Sequence, residues 1–120
     1  MTPLQEKTYA LLKTVPAGHV TTYKALAEAL HTKAYRAIGQ FMKHNPYAPT
    51  VPCHRVIASD ATIGGFMGAK SGKEITKKIR MLRSEGIKIT GERIIDFSTL
   101  LFHFQASGDR GSQVASGDIE

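Results

Sequence analysis

A single cysteine, Cys53, is the strongest candidate for chemistry in this chain. A thiol attacks only as a thiolate, and a free cysteine has a pKa of about 8.5, so a reactive cysteine needs a base or a positive neighbour. His54 and Arg55 follow Cys53 directly. In an extended segment adjacent side chains point to opposite faces, so His54 would act on the thiol through a water. Taken alone, the Cys-His pair is better explained as a buried structural cysteine beside an exposed histidine.

Further motifs accompany the segment Pro52-Cys53-His54-Arg55-Val56-Ile57 along the chain. They are Thr22-Tyr23, Arg36-Ala37-Ile38-Gly39, Asn45-Pro46, Gly64-Gly65-Phe66-Met67-Gly68 and Glu85-Gly86. In this order and spacing the pattern closely resembles the O6-alkylguanine DNA alkyltransferases, also called methylated-DNA–protein-cysteine methyltransferases. The resemblance covers most of residues 1–90, and a chance match of all these motifs is improbable.

The resemblance implies catalytic roles for five residues. Cys53 matches the acceptor cysteine, which takes the alkyl group from O6 of a damaged guanine once per molecule. His54 matches the residue that removes the thiol proton through a water, and Glu85 matches the acid that orients this histidine. Asn45 matches the residue that braces the turn holding the cysteine. Tyr23 matches the tyrosine that contacts the target nucleotide's phosphate and helps to protonate the leaving guanine.

The resemblance also implies double-stranded DNA containing O6-alkylguanine as the partner. Arg36 matches the arginine that fills the base stack after the damaged nucleotide has flipped out of the duplex. Tyr35, where alanine is common in the family, would either stack on the DNA or crowd it. We assign Lys43 to the same DNA-binding face because it follows Arg36 on one predicted helix.

A base-binding pocket follows from the remaining motifs. The backbone of Val56 matches the part of the pocket that recognises the guanine amino group. Gly64, Phe66, Met67 and Gly68 match the pocket wall, where small residues leave room for an alkyl group. Phe66 stands where many members have tyrosine, so a hydrogen bond to the guanine oxygen is expected to be missing, and Met67 replaces a residue that is often small.

Four helices are predicted from apolar spacing and capping residues. Thr2-Pro3-Leu4-Gln5 is typical of a capped helix start, and Thr22 is a cap for a second helix. A third helix, with Ala34, Ala37, Ile38, Phe41 and Met42 as its apolar stripe, completes a pair that resembles a helix-turn-helix. The fourth is predicted over residues 72–84, with a Ser71–Glu74 capping box. Its outer face is expected to carry Lys73, Lys77, Lys78, Arg80 and Arg83.

A β-hairpin is predicted where residues 87–89 and 94–95 flank Thr90-Gly91-Glu92. We therefore expect a mainly α, winged helix-turn-helix-like DNA-binding domain over residues 1–104, in which residues 100–102 pack on the core. From residue 105 the composition indicates a disordered tail. Because residue 1 already begins the helical domain, we expect neither the N-terminal domain of larger family members nor its zinc site.

Composition agrees with a small DNA-binding protein. The 120 residues are 42% hydrophobic and carry a net charge of +6, which favours an anionic partner such as nucleic acid. A single cysteine allows no internal disulfide and fits a reducing compartment. There is no apolar run long enough to span a bilayer and no signal-peptide pattern. We expect a cytoplasmic protein, nuclear in a eukaryote, that is monomeric and needs neither cofactor nor metal.

Other functional classes fit the sequence less well. Alkyltransferase-like proteins bind alkylated guanine and recruit other repair without chemistry, but they replace the acceptor cysteine, typically with tryptophan. The presence of Cys53 therefore favours the enzyme. A winged-helix regulator would explain the charge but not the Pro-Cys-His-Arg-Val motif. In a cysteine protease the histidine normally lies far along the chain from the cysteine.

Overall fold

The computed structural model describes residues 1–104, and the tail predicted from residue 105 lies outside the described residues. Its helices are α1 (Pro3–Leu12), α2 (Tyr23–Ala29), α3 (Tyr35–Lys43), α4 (Lys73–Ser84) and α5 (Phe97–Leu100). Its strands are β1 (Thr21–Thr22), β2 (Val56–Ile57), β3 (Ile89–Thr90) and β4 (Arg93–Ile94). A 3-10 helix, Cys53–Arg55, precedes β2 and is called the Cys53 turn below. The mainly α fold class is confirmed.

Short polar side chains begin the first two helices as predicted. The hydroxyl of Thr2 accepts a hydrogen bond from the Gln5 N–H at 3.1 Å, and Pro3 occupies the first turn of α1. The hydroxyl of Thr22 accepts from the Ala25 N–H at 2.9 Å and caps α2. Gln5 is also placed to close a capping box with Thr2, but its side chain donates to the Tyr9 hydroxyl instead.

Helices α1, α2 and α3 form the helix-turn-helix part of the domain and pack against one another. Buried Ile38 and Met42 lie on the inner face of α3. The Tyr9 hydroxyl of α1 donates to the Phe41 carbonyl at 2.7 Å, which ties the last turn of α3 to α1. The inner face of α3 is thereby fixed, and its opposite face, with Tyr35, Arg36, Gln40 and Lys43, is exposed.

Two small sheets connect these helices to the rest of the domain. Strand β1 pairs in parallel with β2, with Thr21 opposite Val56, so the chain entering α2 is hydrogen-bonded to the chain leaving the Cys53 turn. Strands β3 and β4 form an antiparallel hairpin with Ile89 opposite Ile94. The predicted hairpin is confirmed, with a two-residue turn that places Gly91 at φ +61°.

Helix α4 departs from prediction at two points. Its N-terminal cap is Gly72 at φ +83°, with no side-chain cap, so the predicted Ser71–Glu74 capping box is wrong. Lys78 is not on the outer face but fully buried. Lys78 lies three residues after buried Ile75 and four before buried Leu82, which is the spacing of one helix face. Lys78 was predicted on the exposed face because charged side chains are usually exposed, and that prediction is wrong.

The C-terminal part of the described chain closes the core. The Val20 N–H donates to the Leu100 carbonyl at 3.0 Å, and the Phe102 N–H donates to the Val20 carbonyl at 2.8 Å. The predicted packing of residues 100–102 is confirmed, since Leu100 and Phe102 lie against the core. Within residues 1–104, no helix combines the length and apolar character needed to cross a bilayer.

Candidate active site

The Cys53 turn is held by the buried side chain of Asn45. Its amide nitrogen donates to the Val51 carbonyl at 2.8 Å, and its amide oxygen accepts from the Tyr47 N–H at 2.9 Å. The Cys53 N–H also donates to the Val51 carbonyl at 2.8 Å. Asn45 therefore occupies the bracing position that was expected of it. The expected extended backbone is not found at Cys53 and His54, because the turn is a 3-10 helix.

Cys53 lines a pocket of about 220 Å³ between α2, α3 and residues 64–68, which are called the glycine-rich loop below. The pocket contains three of the residues expected to act on the base, Tyr23, Phe66 and Met67, together with Lys43 and Gly68. Its other lining residues are Gly39, Met42, Gly65, Ala69 and Lys70. The structure thus brings the thiol, a phenol and the glycine-rich loop to one concave site.

The thiol of Cys53 is in an environment that favours its protonated form. Burial raises the pKa of the Cys53 thiol, while a hydrogen bond with Asn45 and the charge of Lys78 oppose the increase. Its Sγ atom lies 3.8 Å from Sδ of Met67. Because the net shift of the pKa is upward, attack by this thiol needs a group that removes its proton.

A histidine–carboxylate pair lies directly behind the turn. His54 Nε2 and Glu85 Oε2 are 2.8 Å apart, and both side chains are largely buried. Burial lowers the pKa of His54, against the raising effect of Glu85, so its neutral form is favoured. With Nε2–H donating to the carboxylate, Nδ1 carries the free lone pair, and it is buried without a partner. His54 is therefore poised to accept a proton at Nδ1.

Arg55 is a member of this cluster, whereas the sequence indicated it only as a positive neighbour of Cys53. Its Nε donates to Glu85 Oε1 at 3.0 Å and its Nη2 to Oε2 at 2.7 Å. Its Nη1 donates to the Val15 carbonyl at 2.8 Å. Burial alone would raise the pKa of Glu85, but hydrogen bonds from Arg55 and His54 lower it. Arg55 thus keeps Glu85 ionised and fixes the oxygen that faces His54.

Tyr23 faces the pocket from the first turn of α2. Burial raises the pKa of its phenol, and the nearby charge of Cys53 raises it further. The phenol is therefore protonated at neutral pH and is available as a hydrogen-bond or proton donor beside the thiol. A contact of Tyr23 with the target nucleotide and its role as a proton donor to guanine stay predictions.

Close contacts explain why the pocket wall contains glycines. A Cβ atom on Gly65 would lie 2.9 Å from the Ala69 carbonyl oxygen, where Phe66 and Ala69 form a reciprocal backbone pair. Gly68 has φ +85°, and a Cβ there would lie 3.0 Å from Cε of Lys43. Met67 also has positive φ, +51°, although it carries a side chain. The loop therefore holds Met67 beside the thiol in a conformation that favours glycine.

Four of the expected base- or DNA-contacting residues lie outside the pocket lining. Tyr35 and Arg36 are exposed at the start of α3, so a contact between them and DNA stays a prediction. Val56 is buried, and its N–H donates to the Cys53 carbonyl. Gly64 has φ +70° and packs against Ala58 behind the loop. A contact between Val56 or Gly64 and a bound base therefore stays a prediction.

Lys78 is a second basic residue whose placement was not predicted, and its side chain lies beneath the pocket. Its Nζ donates to the carbonyls of Val56, at 2.7 Å, and Gly65, at 2.9 Å, and also to that of Ile63. Burial lowers its pKa to about 7. The signal that could have placed it is its position between Ile75 and Leu82 on the apolar stripe of α4. Among residues 1–104, no cluster of three His, Cys, Asp or Glu side chains could hold a metal.

Comparison with known proteins gives a consistent result. Residues 3–87 match the family model of the 6-O-methylguanine DNA methyltransferase DNA-binding domain. The methylated-DNA–protein-cysteine methyltransferase of Thermococcus kodakarensis is 47% identical over 89 residues, which are 73% of this chain and 47% of that protein. The chain spans about half the length of this relative.

Solved structures of similar fold include two kinds of protein. The O6-methylguanine-DNA methyltransferase of Pyrococcus kodakaraensis superposes with a TM-score of 0.62 and 45% identity, over 72% of this chain and 47% of that one. Schizosaccharomyces pombe Atl1, solved with damaged DNA containing O6-carboxymethylguanine, gives a TM-score of 0.69 at 29% identity, over 85% of this chain and 96% of that one.

Proposed function

This chain belongs to the 6-O-methylguanine DNA methyltransferase family, and on that premise we propose that it repairs DNA by direct transfer of an alkyl group. The substrate is double-stranded DNA containing O6-alkylguanine, and the acceptor is the protein's own Cys53. The observation that carries the proposal is the placement of the only cysteine, in a pocket lined by a protonated tyrosine and backed by the His54–Glu85 pair.

The residues of the site supply each part of the reaction. His54 takes the Cys53 proton at Nδ1 through a water, since no direct bond joins the two side chains in the described structure. The thiolate attacks the alkyl carbon, a carbon–sulfur bond forms, and the bond from that carbon to O6 breaks with its electron pair leaving on guanine. The phenol of Tyr23 donates a proton to the departing guanine and regains one from solvent, while the proton taken by His54 is released to solvent. Cys53 becomes a thioether, so each molecule reacts once and needs no cofactor.

Binding of DNA is assigned to the exposed face of α3. Arg36 and Tyr35 begin this helix, and Lys43 ends it beside the pocket. An alkyl group at O6 is out of reach inside a duplex, so the nucleotide must be flipped and the vacancy filled, a role that suits the exposed Arg36. We propose that one monomer acts on one lesion, mainly through phosphate contacts. It would act where duplex DNA lies, in the cytoplasm or in a eukaryotic nucleus.

The direct test is the intact mass of the protein after incubation with DNA containing O6-methylguanine. We expect a gain of one methyl group per molecule, located on Cys53 by peptide mapping. The Cys53→Ser variant should bind the same DNA with nearly unchanged affinity but gain no mass. An unchanged mass of the wild-type protein, or a gain at another residue, would contradict the proposed reaction.

Recognition of damage without chemistry is the alternative function. Atl1 superposes over 96% of its own length, but the similar protein of Thermococcus kodakarensis is named a methyltransferase, which does not favour recognition alone. Cys53 argues against it, because alkyltransferase-like proteins replace the cysteine. The mass experiment separates the two functions, since a recognition protein would bind the methylated DNA tightly and leave it methylated.

A further inference from the structure

Two lysines border the Cys53 pocket, and they come from different parts of the chain. Lys43 ends α3, whereas Lys70 lies in the segment between the glycine-rich loop and α4. Lys70 belongs to none of the motifs that identified the family, so the sequence predicted no role for it. Among residues 1–104, no acidic side chain lines this pocket. The pocket therefore has a positive border with no negative group in its lining.

Glycines of the loop accommodate the stems of both lysines. A Cβ atom on Gly68 would lie 3.0 to 3.2 Å from Cε, Cγ and Cδ of Lys43, and one on Gly65 would lie 4.0 Å from Cγ of Lys70. The aliphatic stems thus lie against the loop, while both lysines remain exposed and keep their ammonium groups in water. In the described part of the chain the ion pairs are those of Glu85, and they include neither lysine. The two ammonium groups are therefore available to an anion from outside the protein.

A flipped nucleotide would bring such an anion to the pocket. When its O6 substituent meets the thiol of Cys53, the guanine ring occupies the pocket, and the sugar with its two phosphates stays at the mouth. A nucleotide that remains stacked keeps its phosphates in the duplex, away from the pocket. Lysine is a usual phosphate ligand because it presents a compact charge on a flexible stem. Only the flipped state therefore places phosphates beside both lysines.

We propose that Lys70 and Lys43 form a phosphate clamp at the mouth of the Cys53 pocket, which binds the phosphates of the flipped nucleotide and favours the extrahelical state. The inference rests on the proposed function and adds to it a residue outside the family motifs. Lys43 also belongs to the proposed DNA-binding face of α3. Lys70 lies outside that helix, so its contribution is specific to the flipped nucleotide.

The test compares Lys70→Gln and Lys70→Glu with Lys73→Gln, a matched control at a nearby exposed lysine that does not line the pocket. Two quantities are measured: the second-order rate constant of methyl transfer from duplex DNA containing O6-methylguanine, and the affinity for the same duplex without the lesion. The rate constant includes both flipping and capture of the nucleotide, whereas the affinity for undamaged DNA reports docking of the duplex.

Lys70→Gln should lower the rate constant roughly three- to fivefold, which is the upper range for one solvent-exposed ion pair. Lys70→Glu should lose more, because its carboxylate repels a phosphate. Affinity for undamaged duplex should change little in Lys70→Gln, since no nucleotide is held in the pocket. Lys73→Gln should match the wild type in both measurements.

Neutral linkages identify the group that the clamp binds. A duplex with methylphosphonates on both sides of O6-methylguanine should react more slowly with the wild type, and Lys70→Gln should then make no further difference. The free base O6-methylguanine carries no phosphate and needs no flipping, so the wild type and Lys70→Gln should react with it at equal rates. Equal unfolding midpoints would show that the exposed substitutions leave the fold intact.

Four results would overturn the proposal. The first is a wild-type rate constant in Lys70→Glu. The second is a loss in Lys70→Gln that persists on the methylphosphonate duplex, and the third is an equal loss of affinity for undamaged DNA, which would make Lys70 an ordinary duplex contact. The fourth is an equal loss with the free base, which would indicate a change in the pocket itself. Failure of the wild type to transfer methyl groups from DNA would instead contradict the proposed function, and it is seen before any variant is made.

Discussion

The buried location of the Cys53 thiol disfavours the thiolate that the proposed reaction requires. Burial raises the pKa of the thiol, yet transfer requires the thiolate. The environment of His54 offsets this difficulty, because burial keeps its imidazole neutral and Glu85 fixes which nitrogen holds the free lone pair. The thiol is therefore unreactive at rest and depends on a neighbouring base for activation.

His54 and Glu85 should act as one unit. General-base catalysis contributes roughly 10²- to 10⁴-fold, so His54→Ala and Glu85→Ala should each slow single-turnover methyl transfer within that range. The double variant should be little slower than the slower single variant. Raising the pH should partly restore all three, because hydroxide can then remove the thiol proton.

Glu74→Ala is the matched control, since Glu74 is the acid in the first turn of the same helix. It should react at the wild-type rate, and DNA affinity should be unchanged in every variant of the series. A normally folded Glu85→Ala protein with a normal rate would show that Glu85 does not orient the base.

Met67 should limit the size of the alkyl group. Its side chain occupies space 3.8 Å from the thiol, at a position with φ +51° that glycine adopts more readily. In Met67→Gly, the ratio of benzyl transfer to methyl transfer from O6-alkylguanine DNA should rise roughly tenfold, as is usual for relief of one apolar obstruction. Met81→Gly, on α4 outside the pocket lining, should leave this ratio unchanged. An equal effect of Met67→Gly on both alkyl groups would mean that Met67 does not set the pocket width.

At the scale of elements, α3 and α4 both present basic residues, but only α3 borders the pocket through Lys43. Each phosphate contact that is lost reduces the slope of log affinity against log salt by about one. We expect this reduction in Lys43→Gln and no change in Lys77→Gln, as measured by fluorescence anisotropy over a series of salt concentrations. The reverse result would place the duplex against the face of α4.

Helix caps and the hairpin turn were predicted correctly where residues close in the sequence determine them. The caps at Thr2 and Thr22 and the hairpin at Gly91 need only short-range hydrogen bonds and backbone preferences, and all three are observed. The predicted cap of α4 was wrong because the helix begins one residue later than the capping box requires. Gly72 is the N-cap, so Ser71 lies outside the helix and Glu74 is its second residue instead of its third.

Only the site residues that belong to the family motifs could be predicted from the sequence. Cys53, His54, Asn45 and Glu85 were found by resemblance, and the structure brings them together. Arg55 and Lys78 were not found, because the groups that define their roles lie elsewhere in the sequence. Arg55 bonds to Val15 and Glu85, and Lys78 bonds to carbonyls 13 to 22 residues away. Backbone carbonyls have no residue-specific signature, so no pattern in the sequence could indicate that these are the partners of Lys78.

At the scale of the whole molecule, the buried lysine should make stability depend on pH. The unfolded chain keeps the Lys78 proton up to its ordinary pKa of 10.5, whereas the folded protein releases it near 7. Between these values the unfolded state binds more protons, so the free energy of unfolding should rise with pH by up to about 1.4 kcal/mol per unit.

Chemical denaturation between pH 7 and 8.5 tests this dependence. The lower part of the window avoids the upward-shifted titrations of Cys53 and Tyr23. The rise should be present in the wild type and in Lys77→Met, and absent in Lys78→Met. Parallel curves for all three proteins would contradict the titration assigned to Lys78.

The contact between Gly68 and Lys43 has a consequence for the evolution of this protein. Any side chain at residue 68 would begin about 3.0 Å from Cε of Lys43 and would have to push the lysine aside. A mutation that reshapes the pocket here is then also a mutation of the proposed DNA-binding face. The two positions should therefore show epistasis: substitutions at Gly68 should be less harmful when residue 43 is small, while the cost of a side chain at φ +85° remains. A lineage that adapts to bulkier lesions through this loop would have to change both positions, or leave both as they are.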